Sequence, residues 1–115
     1  MMYNKDTERG ENRMLYLMLD KSETKYYAKV GLARKPSVSR REYLTYNPCA
    51  IMRSTCAGTA NEELSCWTTL SKISIGRVDF TQWFEVDEKT FNLLYEKGMG
   101  LLRPNQKPIH FLETF

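Results

Sequence analysis

Histidine is almost missing from this chain: one, His110, in 115 residues. The cysteines are three, Cys49, Cys56 and Cys66, seven and ten residues apart with no CxxC pair. A structural zinc site needs four such ligands at close spacings, so that class is excluded. No long apolar run occurs. The longest, "MLYLML", falls far short of the roughly 20 residues that span a bilayer. No charge of one sign dominates either: 17 basic residues face 14 acidic ones, for a net charge of +3 and a pI near 8.8. Such a balance permits an anionic partner without demanding one. There is no internal repeat and no low-complexity tract. The amino terminus, "MMYNKDTERGENR", lacks the apolar centre of a secretory signal. With an odd cysteine count, this predicts a cytoplasmic chain with free thiols and no membrane association.

What is present suits one globular domain. Hydrophobic residues make up 42% of the chain and charged ones 27%, enough to bury a single core at this length. Residues 1–13 read as a polar arm, 14–100 as the domain, and 101–115 as a tail. "MLYLML" (Met14–Leu19) and "KYYAKVGL" (Lys25–Leu32) form a hairpin around the turn residues "DKSET". Ser37 caps a helix over Val38–Tyr46, which the Asn47-Pro48 pair ends. "CAIMRSTC" (Cys49–Cys56) is a third strand, and Gly58 breaks it. Thr59 to Glu62 matches the capping-box pattern and starts a helix whose Leu64, Trp67 and Leu70 recur as a buried stripe. Residues 71–81 carry no clear pattern. "WFEV" (Trp83–Val86) is a short strand that turns Trp83 and Phe84 to opposite faces. Asp87 caps a last helix, with Phe91, Leu94 and Tyr95 on one side and a stop at Gly98 or Gly100. The expected fold is α/β (α+β), in the order ββαβαβα, with helices flanking a small, mainly antiparallel sheet of three to four strands. Apolar residues in the tail, Ile109, Phe111, Leu112 and Phe115, either cap the domain's own core or form a homodimer contact.

The ordered series over residues 14–95 carries a resemblance. Tyr16 lies in "LYLM" of the first strand, Lys29-Val30-Gly31 in the second, and Arg40 nine residues beyond that glycine. Glu63 follows early in a helix, and "QWFEV" (Gln82–Val86) closes the series. This pattern resembles the GIY-YIG nuclease superfamily, in particular its phage-associated branch with "YKIG" and "EWF" signatures. The resemblance implies metal-assisted phosphodiester hydrolysis. Tyr16 would help activate water, Lys29 would stand at the second-signature tyrosine, Arg40 would neutralise the phosphate, and Glu63 would hold magnesium or manganese. Glu62 is the competing register for the metal. Arg34, Lys35, Arg41 and Tyr43 would contact nucleic acid, DNA foremost.

Each role suits its side chain. A phenol, with a pKa near 10, acts as a base only where cations stabilise the phenolate. Guanidinium matches phosphate through its forked donors, and a carboxylate is the ordinary magnesium ligand. Two departures stand out. Met14 occupies the place of the first-signature glycine, and Trp67 stands four residues after Glu63 where the branch keeps a histidine. A catalytically inactive binding protein of phage type, engaging nucleic acid or an acidic host or defence protein, is therefore the alternative reading. Bland explanations also exist for single residues: a packing role for Tyr16, a capping role for Glu62, a solvated surface for the arginines, and a buried, inert thiol for Cys66.

Overall fold

A computed structural model of the chain describes residues 13–34, 49–103 and 108–115. The expected arm over 1–13, apart from Arg13, the helix Val38–Tyr46 with its cap Ser37, and with them Lys35, Arg40, Arg41 and Tyr43, lie outside the described residues.

Three strands form the centre: β1 (Met14–Lys21), β2 (Tyr26–Ala33) and β3 (Ile51–Ala57). Alternation builds them. Leu15, Leu17 and Leu19 of β1 enter one core with Ala28 and Val30, while Tyr16 and Met18 enter a second on the other face. The turn between β1 and β2 closes through Ser22, whose amide donates to Lys25 O at 2.8 Å and whose hydroxyl accepts from the Lys25 amide at 3.1 Å. β1 pairs with β2 on one side and β3 on the other, both antiparallel. A β-bulge at Arg53 lets Leu17 face Ser54 and Met18 face Met52.

The long helix α1 (Ala60–Ile73) begins as expected. Thr59 Oγ1 accepts from the Glu62 amide at 3.3 Å, and Glu62 Oε1 accepts from the Thr59 amide at 2.9 Å. Its buried side differs from the expected stripe. Cys66 and Leu70 are sealed in the core, Trp67 is half-buried, and Leu64 is 64% exposed. The reason is helical phase: residues 66 and 70 are one turn apart, and Leu64 is turned well away from them.

Residues 71–81 resolve into the end of α1 and a two-residue strand, β4 (Gly76–Arg77), which pairs with β5 (Phe84–Val86). Trp83 joins the second core and Phe84 the first, on opposite faces. Next come α2 (Glu88–Lys97), capped by Asp87 Oδ1 accepting from the Thr90 amide at 2.7 Å, and a short α3 (Met99–Leu102). The last helix therefore stops at Gly98 and not Gly100, which lies inside α3. Gly98 has φ +57°, and a Cβ there would crowd Ser54 Oγ at 2.6 Å.

The tail supplies β6 (His110–Phe111), paired with β3. Among the described residues the sheet thus has six strands, in the order β4-β5-β2-β1-β3-β6. That corrects the expected count of three to four, and it extends the expected order by β4, α3 and β6. The architecture remains α+β, with an all-antiparallel sheet. No helix among the described residues is long and apolar enough to cross a membrane.

Candidate functional site at the open edge of β2

β5 pairs with β2 only over Tyr26, Tyr27 and Ala28. From Lys29 onward, the outer edge of β2 has no strand partner among the described residues. A cavity of about 360 Å³ sits there, lined by Lys29, Val30, Glu63, Leu64, Trp67, Arg77 and Gln82. Three elements supply them. β2 brings the lysine, the first turns of α1 bring the carboxylate and the indole, and the β4–β5 hairpin brings Arg77 and Gln82.

Tyr16 is buried, 4% exposed, and is reached from the cavity through Lys29, which is equally buried. Lys29 Nζ donates to Tyr16 Oη at 3.1 Å and lies 5.1 Å from the ring centre. The two meet because strand alternation sends both to the second face from adjacent strands. Gly31 makes the arrangement possible. It faces Tyr16 across the ladder, and a Cβ on it would overlap the Cζ and hydroxyl of that ring.

Glu62 and Glu63 divide two tasks. Glu62 closes the capping box with one carboxylate oxygen and meets Arg103 Nη2 at 2.8 Å with the other. Arg103 Nη1 also donates to Ala57 O at 2.8 Å. Glu62 is thereby committed to holding the start of α1 against β3 and α3. Glu63, one residue on, lines the cavity instead. Its place in the first turn of α1 suits an anion, because unpaired amides and the helix dipole favour negative charge there.

The sequence-expected residues therefore separate. Lys29 and Glu63 line one cavity, Tyr16 does not line it but accepts from Lys29 on the second face of the sheet, and Arg34 lies exposed at the end of β2. Arg77 had no expected role, lying in the stretch without a pattern, and Gln82 entered only as the first residue of "QWFEV". The one sequence cue was a lone arginine shortly before "QWF". Trp67 is not simply core: it packs edge-on against Phe84 with ring centres 5.2 Å apart while forming a wall of the cavity. Cys66 stands apart from this chemistry. Burial, and next the neighbouring Cys56, push its thiol up to about 11, which leaves little thiolate near neutrality. Asp20, by contrast, borders a second hollow of about 280 Å³ with Tyr27, Val78, Thr81 and Trp83, and burial raises its pKa.

The chain matches no family model, and no curated protein or solved structure is significantly similar to it.

Proposed function

We propose that this chain is a GIY-YIG-like nucleic-acid-processing protein that hydrolyses phosphodiester bonds of DNA with a divalent cation. One observation carries the reading: Lys29, Glu63 and Arg77 line a single cavity, and Tyr16 is hydrogen-bonded to Lys29 beside it. The side chains suit phosphate chemistry. Arg77 offers a permanently charged fork, Lys29 a compact ammonium, and Arg34 a further cation at the strand end. The Lys29 ammonium donates to the Tyr16 hydroxyl, which places a cation beside the phenol that the resemblance assigns as a base. The Gly31 contact also supports the resemblance, since the second-signature glycine is sterically required by the first-strand tyrosine.

Magnesium or manganese fits the donor set. Such an ion keeps several waters and takes one or two carboxylates plus substrate phosphate, and the cavity provides Glu63 with room around it. When bound, it would polarise a phosphoryl oxygen. Glu63 would hold it, Lys29 and Arg77 would orient the phosphate, and Arg40 would add the charge that the resemblance assigns it.

Trp67 favours a second reading. It forms a cavity wall where the resemblance implies a histidine. An indole donates one hydrogen bond and accepts no proton. A catalytically silent protein that holds nucleic acid, or an acidic host or defence protein, would need the cations but no proton carrier.

A nicking and cleavage assay on plasmid and oligonucleotide DNA, with magnesium or manganese, separates the two. Glu63→Ala and Arg40→Ala are each expected to slow cleavage about 10²- to 10³-fold, the typical effect of losing one electrostatic contact to the transition state. Cleavage unchanged in both variants would sink the enzyme reading. Binding without cleavage, falling steeply with salt, would support the second one.

A further inference from the structure

The turn between β4 and β5 holds an aromatic side chain in a conformation that folding alone does not explain. Phe80 has φ +63°, and among the described residues it is the one non-glycine residue with positive φ. Its side chain is fully exposed, at 101%. A bulky L-residue is strained there, and an exposed phenyl ring gains nothing from burial. A positive φ at the third of four turn residues is the position where glycine or asparagine is usual.

The turn is nonetheless firmly built. The Thr81 amide donates to Val78 O at 3.1 Å and its hydroxyl donates to the same oxygen at 2.8 Å. The Trp83 amide donates to Thr81 Oγ1 at 3.1 Å, and the Val78 amide to Trp83 O at 2.9 Å. Phe80 is thus presented on a rigid mount. That mount joins Arg77 to Gln82, both of which line the cavity at the β2 edge.

We propose that Phe80 is a stacking platform for an unpaired base of a nucleic-acid strand whose backbone is held by Arg77 on the same hairpin. The inference rests on the reading of the cavity as a phosphate site and names the substrate's form: single-stranded, gapped or locally opened DNA. Base stacking asks for one flat aromatic face and a nearby cation for the backbone. The hairpin supplies both three residues apart, as Arg77 and Phe80. A protein partner would instead favour an aromatic seated in a packed apolar patch, whereas the turn neighbours Asp79, Thr81 and Gln82 are polar.

The test is binding of the full chain to oligonucleotides carrying 2-aminopurine, either in a single-stranded gap or in a matched duplex. Phe80→Asn and Phe80→Trp are compared with wild type, and their melting temperatures are measured alongside. Wild type and Phe80→Trp should bind the gapped DNA and quench the probe. Phe80→Asn should lose roughly 5- to 150-fold in affinity for the gap and the quenching with it. Its melting temperature should be unchanged or higher, because asparagine tolerates positive φ. Equal affinity and quenching by Phe80→Asn, with DNA still bound, would overturn the stacking role and leave the cavity reading standing. Failure of wild type to bind any of these DNAs would overturn both and point to a protein partner. Loss of gap binding in Phe80→Asn, with cleavage unaffected by Glu63→Ala, would uphold the platform and sink the catalytic cavity.

Discussion

Gly31 is where one missing atom has the largest consequence. Tyr16 cannot swing aside to admit a Cβ without leaving Lys29, because its ring is buried and its hydroxyl is held at 3.1 Å. Gly31→Ala is expected to destabilise the fold by about 1–3 kcal/mol, the usual range for overpacking a filled site. It should also lower any activity by more than the lost stability explains. Chemical denaturation, together with the assay on the folded fraction, checks both. The sequence showed the two strands by their apolar and aromatic content, and only the resemblance singled out Tyr16, Lys29 and Gly31 on them; that the three meet on one face is a finding of the structure. The exposure of Leu64 was not legible in the sequence. A spacing of three residues along a helix cannot say which of several overlapping stripes faces the core, and the stripe through Cys66 and Leu70 is the buried one. Arg77 was hidden because its strand is two residues long and gains its shape from β5.

At the level of elements, α1 is fixed at its start by a small polar network. Glu62 serves the Thr59 amide and Arg103, and Arg103 is itself only 9% exposed along its side chain. Removing the carboxylate by Glu62→Ala leaves a largely buried guanidinium without its ion partner and half of the capping box undone. A loss of about 1–3 kcal/mol is expected, measured by thermal or denaturant unfolding. Glu63→Ala should cost much less stability, since Glu63 faces the cavity. That contrast separates a structural glutamate from a functional one. The capping pattern was readable in the sequence. The partner was not, because Arg103 lies 41 residues from Glu62 and reaches it only through the fold.

For the whole molecule, the tail completes the sheet. β6 pairs with β3, the Met52 amide donates to Glu113 Oε1 at 2.6 Å, and Arg53 donates to Tyr95 O at 2.8 Å and Glu113 O at 2.9 Å. The Arg53 guanidinium lies 3.8 Å from the Tyr95 ring centre and 4.9 Å from that of Phe111, and Phe115 reaches Phe91 at 5.8 Å. Deleting residues 108–115 would uncover the edge of β3 and part of α2. A fall in melting temperature of about 10 °C is expected, from several lost contacts of about 1 kcal/mol each. Part of this apolar tail packs on the chain's own domain through β6 and the Phe115–Phe91 contact, while Phe111, Leu112 and Phe115 stay 46%, 54% and 45% exposed. The central claim is that the cavity at the β2 edge is where a divalent cation and a phosphate meet. Paramagnetic broadening tests it directly, by adding substoichiometric manganese and a non-cleavable DNA to the ¹⁵N-labelled chain. Amide signals of Lys29, Glu63, Trp67, Arg77 and Gln82 should fade first. Fading centred instead on the acidic outer side of α2, around Glu88 and Glu96, would contradict the claim.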